Sequence, residues 1–194
     1  MIKFAAAVLF SSLVGLGAAN AASIIYTDTA TASGTIGAAV FTDQTVSVSF
    51  YGDTANVTEP NPSFYANSVG NAFITIGTGG AIAFTDSMQF FDNQTVGAAG
   101  IGDLAVGSVL DTYSTYFGMY TGSTAIGPLG GASFAETSYD FGTVDGTLNF
   151  TSFSSTSTFT ATTASVTPEP SSLVLLATGI ACAAGWQRRR LFTV

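Results

Sequence analysis

Carboxylates are the only charged side chains in the long middle of this 194-residue sequence, so they alone limit its chemistry. The chain has no histidine, and its four basic residues lie at positions 3 and 188–190. The single cysteine, Cys182, also lies near the end. Residues 22–167 therefore lack the side chains of a Ser-His-Asp triad, a lysine Schiff base, an arginine phosphate clamp and a thiolate zinc site.

Paired carboxylates can hydrolyse glycosidic bonds, with one as the acid and the other as nucleophile or base. Residues 22–167 hold eleven acids, namely nine aspartates with Glu59 and Glu136, but no spacing singles out a pair. Most of them stand beside Gly, Thr or Asn, which is typical of turns. We therefore predict no catalytic residue and no enzyme, and a carboxylate-based glycosidase is the least favoured alternative.

Calcium is the metal that such hard oxygen donors favour. Asp140 and Asp145 flank a glycine-containing turn, and Asp103 and Asp111 bracket another segment. These spacings do not match an EF-hand loop, so we assign no metal-binding residue and predict no cofactor, with calcium as the one candidate. The formal charge of −11 over residues 22–167 also repels phosphate groups, which argues against nucleic acid as a partner.

Alternation of apolar and hydroxyl residues at period two dominates residues 22–162 and predicts an all-β domain. Strands are predicted at residues 45–50, 72–76, 81–84, 88–91, 113–120, 147–153 and 158–162. Breaks are predicted at the glycine-rich residues 77–80, 97–102, 127–131 and 145–146, and two prolines predict a long irregular loop over residues 56–67. Short strands separated by such turns indicate an antiparallel β-sandwich or jelly roll, followed by a polar spacer at residues 163–167.

The first 21 residues have the features of an export signal. A lysine at position 3 precedes an apolar run at residues 4–17, and Ala19 and Ala21 supply the small residues of a cleavage site. We therefore predict a signal helix at residues 1–21, cleavage before Ala22, and the general export machinery as a partner.

The end of the chain combines three features in a fixed order. Pro168, Glu169 and Pro170 form a tripeptide that proline keeps extended. Residues 173–186 carry no charge and would span roughly 21 Å as a helix, against roughly 30 Å for a hydrocarbon core. Arg188, Arg189 and Arg190 follow, as expected for a cytoplasmic flank. This order predicts a short transmembrane helix with the preceding domain outside.

Together these three features resemble the PEP-CTERM sorting signal, over residues 168–190. The resemblance implies that Pro168, Glu169 and Pro170 are recognised by an exosortase-like membrane protease, while Arg188, Arg189 and Arg190 act as a cytoplasmic stop ahead of the tail at residues 191–194. It also implies a Gram-negative bacterium that makes extracellular polysaccharide. The protein would be held briefly in the inner membrane through residues 171–190, with its domain periplasmic, and then reach the cell surface or the medium.

The sequence therefore predicts a non-enzymatic, exported protein of the cell surface or extracellular matrix. The alternative is a carbohydrate-binding module of the polysaccharide matrix, with calcium as an aid to binding. The two hypotheses differ in whether the domain between the terminal signals has a sugar ligand.

Overall fold

The computed structural model describes residues 22–103 and 105–164, and these residues form an all-β domain. Twelve strands succeed one another along the chain: β1 (Ser23–Ile36), β2 (Ala39–Asp53), β3 (Val57–Asn61), β4 (Phe64–Asn67), β5 (Asn71–Ile76), β6 (Ile82–Ala83), β7 (Met88–Asn93), β8 (Ala98–Asp103), β9 (Gly107–Tyr113), β10 (Ile126–Phe134), β11 (Phe141–Thr143) and β12 (Gly146–Thr163). Two short 3₁₀ turns, Thr54–Asn56 and Thr115–Met119, are the only helical elements of the described residues. None of the described residues forms a helix with the length and apolarity needed to cross a bilayer.

All the strands belong to one antiparallel sheet, in the order β3-β4-β7-β8-β9-β10-β12-β1-β2-β5-β6, with β11 attached to β12. The sheet curls over, so that β1, β2 and β5 pack against β7, β8 and β9. The predicted all-β, antiparallel class is confirmed. The sandwich-like core forms between two parts of a single continuous sheet, because β12 pairs with β10 on one side and with β1 on the other.

The long strand β1 shows how the alternating pattern builds the core. Its even-numbered residues, including Ile24, Tyr26 and Ala30, are buried between the two halves of the sheet. The intervening Thr27 and Thr29 point outward. Their hydroxyls lie 3.0 Å from serine hydroxyls of β2, forming cross-strand polar pairs on the outer surface.

Aromatic side chains fill the middle of the core. Tyr26 of β1 stacks on Phe90 of β7 with ring centroids 3.7 Å apart, and so joins the two halves of the sheet. Phe159 of β12 contacts Phe90 at 5.9 Å and Phe117 edge-on at 5.4 Å. Burying a side chain of this size contributes roughly 1.5–3 kcal/mol, so the cluster supplies much of the stability of a domain without disulfides.

Several local predictions were wrong. Residues 56–67 form the hairpin β3–β4 rather than an irregular loop, although β3 is an edge strand and can therefore accommodate Pro60. The predicted strand at residues 113–120 ends at Tyr113 and continues as a 3₁₀ turn that buries Phe117. The glycine-rich residues 97–102 and 127–131 were predicted as breaks, but most of them lie within β8 and β10.

Candidate functional site

The predicted signal and sorting residues lie outside the described part of the chain. These are Ala19 and Ala21 at the expected cleavage site, Pro168, Glu169 and Pro170 of the tripeptide, and Arg188, Arg189 and Arg190. The two helices expected to flank the domain lie outside it as well. The structure does show where the domain meets these segments, namely at Ala22 and Ala164.

The two ends of the folded domain lie side by side. The backbone N–H of Ala164 donates to the carbonyl of Ser23 at 3.0 Å, and Ile24 pairs with Thr163 where β1 and β12 meet. Ala22 is held against the 3₁₀ turn that follows β2, because its carbonyl accepts from the N–H of Thr54 at 3.0 Å. Segments that precede and follow the domain therefore leave it from the same end of the sheet.

Three aspartates lie in the interior, although their neighbours had suggested turns. Asp28 of β1 has no exposed surface, and both its carboxyl oxygens accept from the hydroxyl of Thr112, at 2.9 and 3.0 Å. Thr112 lies 2.6 Å from the hydroxyl of Ser157, which extends the polar contacts to β12. Burial raises the pKa of Asp28 well above its usual range, and the nearby Asp111 carboxyl raises it further.

Asp111 lies on the other face of the sheet from Asp28. Its chain neighbour Thr112 reaches into the core, so Asp111 points outward from β9. It is nevertheless only 3 % exposed, and one of its carboxyl oxygens accepts from none of the residues that the structure describes. Gly100 on β8 leaves room for it, because a Cβ at that position would lie 2.5 Å from the Cβ of Asp111. Burial raises the pKa of Asp111 to about 7.

Asp92 of β7 is the most isolated of the three acids. It points into the core on the same side of the strand as Phe90, it has no exposed surface, and neither of its carboxyl oxygens has a hydrogen-bond partner among the described residues. Burial raises its pKa to about 8. Asp92 is therefore mostly protonated at neutral pH, which avoids placing an unpaired charge in the apolar interior.

None of the three buried aspartates presents its carboxyl to a surface cleft. Asp28 and Asp111 point to opposite faces of the sheet, so a single sugar could not lie between them as glycoside hydrolysis requires. Glu59 and Glu136 are at the surface and accept hydrogen bonds from Ser63 and Ser138 of their own segments. No sequence pattern predicted the buried acids, since aspartate beside threonine suits a turn equally well.

The calcium candidates are not assembled into a shared site either. One oxygen of Asp103 accepts from the backbone N–H groups of Ala105 and Val106, as in an ordinary turn. Asp140 accepts from the side-chain amide of Asn149 at 2.9 Å. Among the described residues, no three acids converge in a way that could hold a metal ion.

A groove on the outer face of the β4–β10 half is the feature that sequence reasoning missed. We call it the outer groove; its walls and floor are formed by Phe64, Gln89, Phe91, Gly102, Asp103 and Ser108, and its volume is about 280 Å³. Phe64 and Phe91 line it with parallel rings whose centroids lie 6.1 Å apart. Because its residues come from four strands, only the strand register could have revealed it.

Comparison with known proteins identifies the end of the chain. Residues 166–190 match the family model of the PEP-CTERM protein-sorting motif. No match was found among curated proteins or among solved structures. The match contains the predicted tripeptide at residues 168–170 and the arginines at residues 188–190, so the resemblance drawn from the sequence is confirmed. The motif implies an exported protein that an exosortase, a membrane protease, processes.

Proposed function

We propose that this chain, which carries a PEP-CTERM sorting motif, is a non-enzymatic protein of the cell surface or extracellular matrix. The observation that carries the proposal is the family match at residues 166–190. In the proposed pathway the chain is exported as a precursor, anchored in the inner membrane by residues 171–190, and then released to the surface. Its β domain is the part that is displayed.

The architecture of the domain supports this order of events. The long strand β12 joins both halves of the sheet and ends at Thr163, five positions before Pro168. Five residues span at most roughly 18 Å, so the processing protease would act close to the domain. The domain begins and ends at the same end of the sheet, so the predicted signals connect to it at that end.

The non-enzymatic part of the proposal is supported by the chemistry of the domain. Residues 22–167 contain no histidine, lysine, arginine or cysteine. The acids with clearly raised pKa values are buried within or beneath the sheet, where they contribute to packing and leave no carboxylate pair facing a substrate. The proposed role therefore depends on surface display rather than on turnover, and it needs neither a cofactor nor a metal.

The experiment that tests this proposal compares two host strains, one with an active exosortase and one without. In the active strain we expect a shortened protein at the surface or in the medium. In the inactive strain the longer precursor should remain in the inner-membrane fraction. An identical size and location of the protein in both strains would refute the proposal.

A further inference from the structure

The outer groove lies on the exposed side of the sheet. Phe90 packs into the core against Tyr26, so its neighbours Gln89 and Phe91 point to the opposite surface. The register places Gln89 opposite Gly102 and Phe91 opposite Gly100 on β8. The half-buried aromatic rings of β4 and β7 thus stand beside a strand whose outward positions have almost no side chains.

Glycine is required on the floor of this groove. A Cβ at Gly102 would lie 2.6 Å from the carbonyl oxygen of Gly107, so no larger residue fits without moving the backbone. The missing side chains leave a depression beside Phe64 and Phe91. The rings of Phe64 and Phe91 lie in parallel planes, tilted by only 3° from one another, and form an apolar wall of the groove.

Polar groups with unused hydrogen-bonding capacity lie beside the two aromatic rings of the outer groove. Gln89 is only 6 % exposed. Its side-chain oxygen accepts from the hydroxyl of Ser68 at 3.0 Å, while no described residue accepts from its amide nitrogen. The hydroxyl of Ser108 is buried and lies beside the Asp111 carboxyl, whose pKa it lowers. Asp103 uses one carboxyl oxygen for its own turn, and no described residue donates to the other. The groove therefore offers the Gln89 amide as a donor and the Asp103 carboxyl as an acceptor, close to an aromatic surface.

We infer that the outer groove binds one neutral sugar ring of a carbohydrate chain. The C–H face of a sugar ring packs on aromatic rings, and its hydroxyls both donate and accept, which matches the groups at the groove. A volume of about 280 Å³ is slightly smaller than the roughly 300–1,000 Å³ of clefts for drug-sized ligands and suits a single ring. Displaying the domain outside the cell, as proposed above, would give the groove access to such a ligand.

The charge of the domain decides which sugars fit. Residues 22–167 have a formal charge of −11 and no basic side chain, so a uronic acid or a sulfated sugar would be repelled and would find no cationic partner. Neutral hexoses and N-acetylhexosamines carry no such penalty. The selectivity for neutral over acidic sugars is therefore part of the inference.

The test titrates neutral and uronic-acid oligosaccharides into the full purified chain while NMR follows the backbone amides. We expect saturable shifts at Gly102, Gly107 and Ser108 with a neutral oligosaccharide, and at least ten-fold weaker binding of the acidic ones. Amides of Thr27 and Ser49, on the outer surface of the other half, should not move. Absence of saturable shifts with every neutral oligosaccharide, or shifts centred on Thr27 and Ser49, would overturn the inference.

Variants provide a second test. Phe91→Ala and Gln89→Ala should each weaken binding at least ten-fold, while Tyr51→Ala, which removes an exposed aromatic residue from the opposite half, should bind as the parent chain does. Thermal melts show whether each variant is folded. If a variant does not fold, the NMR titration of the unmodified chain tests whether the groove binds the sugar. Equal loss in all three variants would contradict the assignment to this groove. Because binding is measured on the purified chain, its failure would leave the proposed sorting untouched.

Discussion

The folded domain and the C-terminal segment of this chain use charge in opposite ways. Residues 22–164 hold eleven acids and no basic residue, and three of those acids are buried. Residues 165–194 hold three arginines directly after an uncharged run. The C-terminal segment carries the sorting motif, which implies export, whereas the role that we propose after delivery depends on the folded domain. The two parts can therefore be altered separately.

The largest effect that we predict comes from truncating the chain within the folded domain, inside β12. Truncation after residue 156 removes Ser157, Phe159 and Ala161 from the core, together with the pairing of β12 with residues 24–30 of β1 and all but one pair with β10. The two halves of the sheet then lose nearly all of their hydrogen-bonded connection, so we expect complete loss of cooperative unfolding. Circular dichroism melts measure this directly.

The matched control is truncation after Ala164, which removes only the C-terminal segment. This variant should melt within a few degrees of the full chain. A folded chain after truncation at residue 156, or an unfolded chain after truncation at residue 164, would show that the border between domain and signal is misplaced.

The next largest effect concerns processing. We expect Glu169→Ala to leave the precursor uncut and in the membrane fraction, because Glu169 lies in the matched motif between its two prolines. Thr167→Ala, which lies just before the tripeptide, is the control and should be processed as the parent chain is. Immunoblots of membrane and surface fractions distinguish the two forms. Normal processing of the Glu169 variant would exclude a role for its carboxylate in recognition.

The stability of the domain should fall as the pH rises. Burial raises the pKa of Asp92 to about 8 and that of Asp111 to about 7, whereas an unfolded aspartate has a pKa of about 3.9. Between pH 4 and pH 8 the folded state therefore binds more protons than the unfolded state, and raising the pH favours unfolding. Each unit of pKa difference corresponds to about 1.4 kcal/mol, so the two groups together predict a loss of up to about 8 kcal/mol over this range.

Urea denaturation at pH 4.5, 6 and 8 measures this trend on the domain. A free energy of unfolding that rises with pH over this interval would mean that the buried carboxyls are paired rather than isolated. The C-terminal segment contributes no acid other than Glu169, so truncation after Ala164 should leave the trend unchanged.

A smaller effect on stability distinguishes Asp92, whose carboxyl is isolated, from Asp28, whose carboxyl is hydrogen-bonded to Thr112. Asp92→Leu removes a buried carboxyl without hydrogen-bond partners, so we expect a gain of about 1–3 kcal/mol at pH 7. Asp28→Leu leaves the hydroxyl of Thr112 without its carboxylate acceptor and should destabilise the domain by about 1–3 kcal/mol. Denaturation of both variants at one pH gives the comparison. A loss of stability in the Asp92 variant would indicate a partner for that carboxyl.

Much of the fold followed from the sequence because its strands alternate regularly. Residues 45–50 and 72–76 became parts of β2 and β5 as predicted, and the turn at residues 145–146 joins β11 to β12. The strand β1 was missed because several of its buried positions are alanine, glycine or Asp28, which give a weak hydrophobic signal. The glycines of β8 were mistaken for a break because the reason for them, the close approach of β9, is a contact between two strands that appears only once the hairpin is paired.

The sorting motif and the outer groove likewise differ in whether the sequence alone predicts them. The sorting motif could be predicted because its three parts are consecutive in the chain and need no folded context. The outer groove could not, since Phe64, Gln89 and Ser108 are brought together only by the register of β4, β7, β8 and β9. The burial of Asp92 likewise depends on the face of β7 that turns towards the core.

The most direct test of the account is the intact mass of the protein isolated from the surface or medium of the bacterium that makes it. We predict a mass that lacks residues 1–21 and also lacks the C-terminal residues that include Arg188, Arg189 and Arg190. A surface form that retains those three arginines would contradict the central claim that the segment is a removable sorting signal.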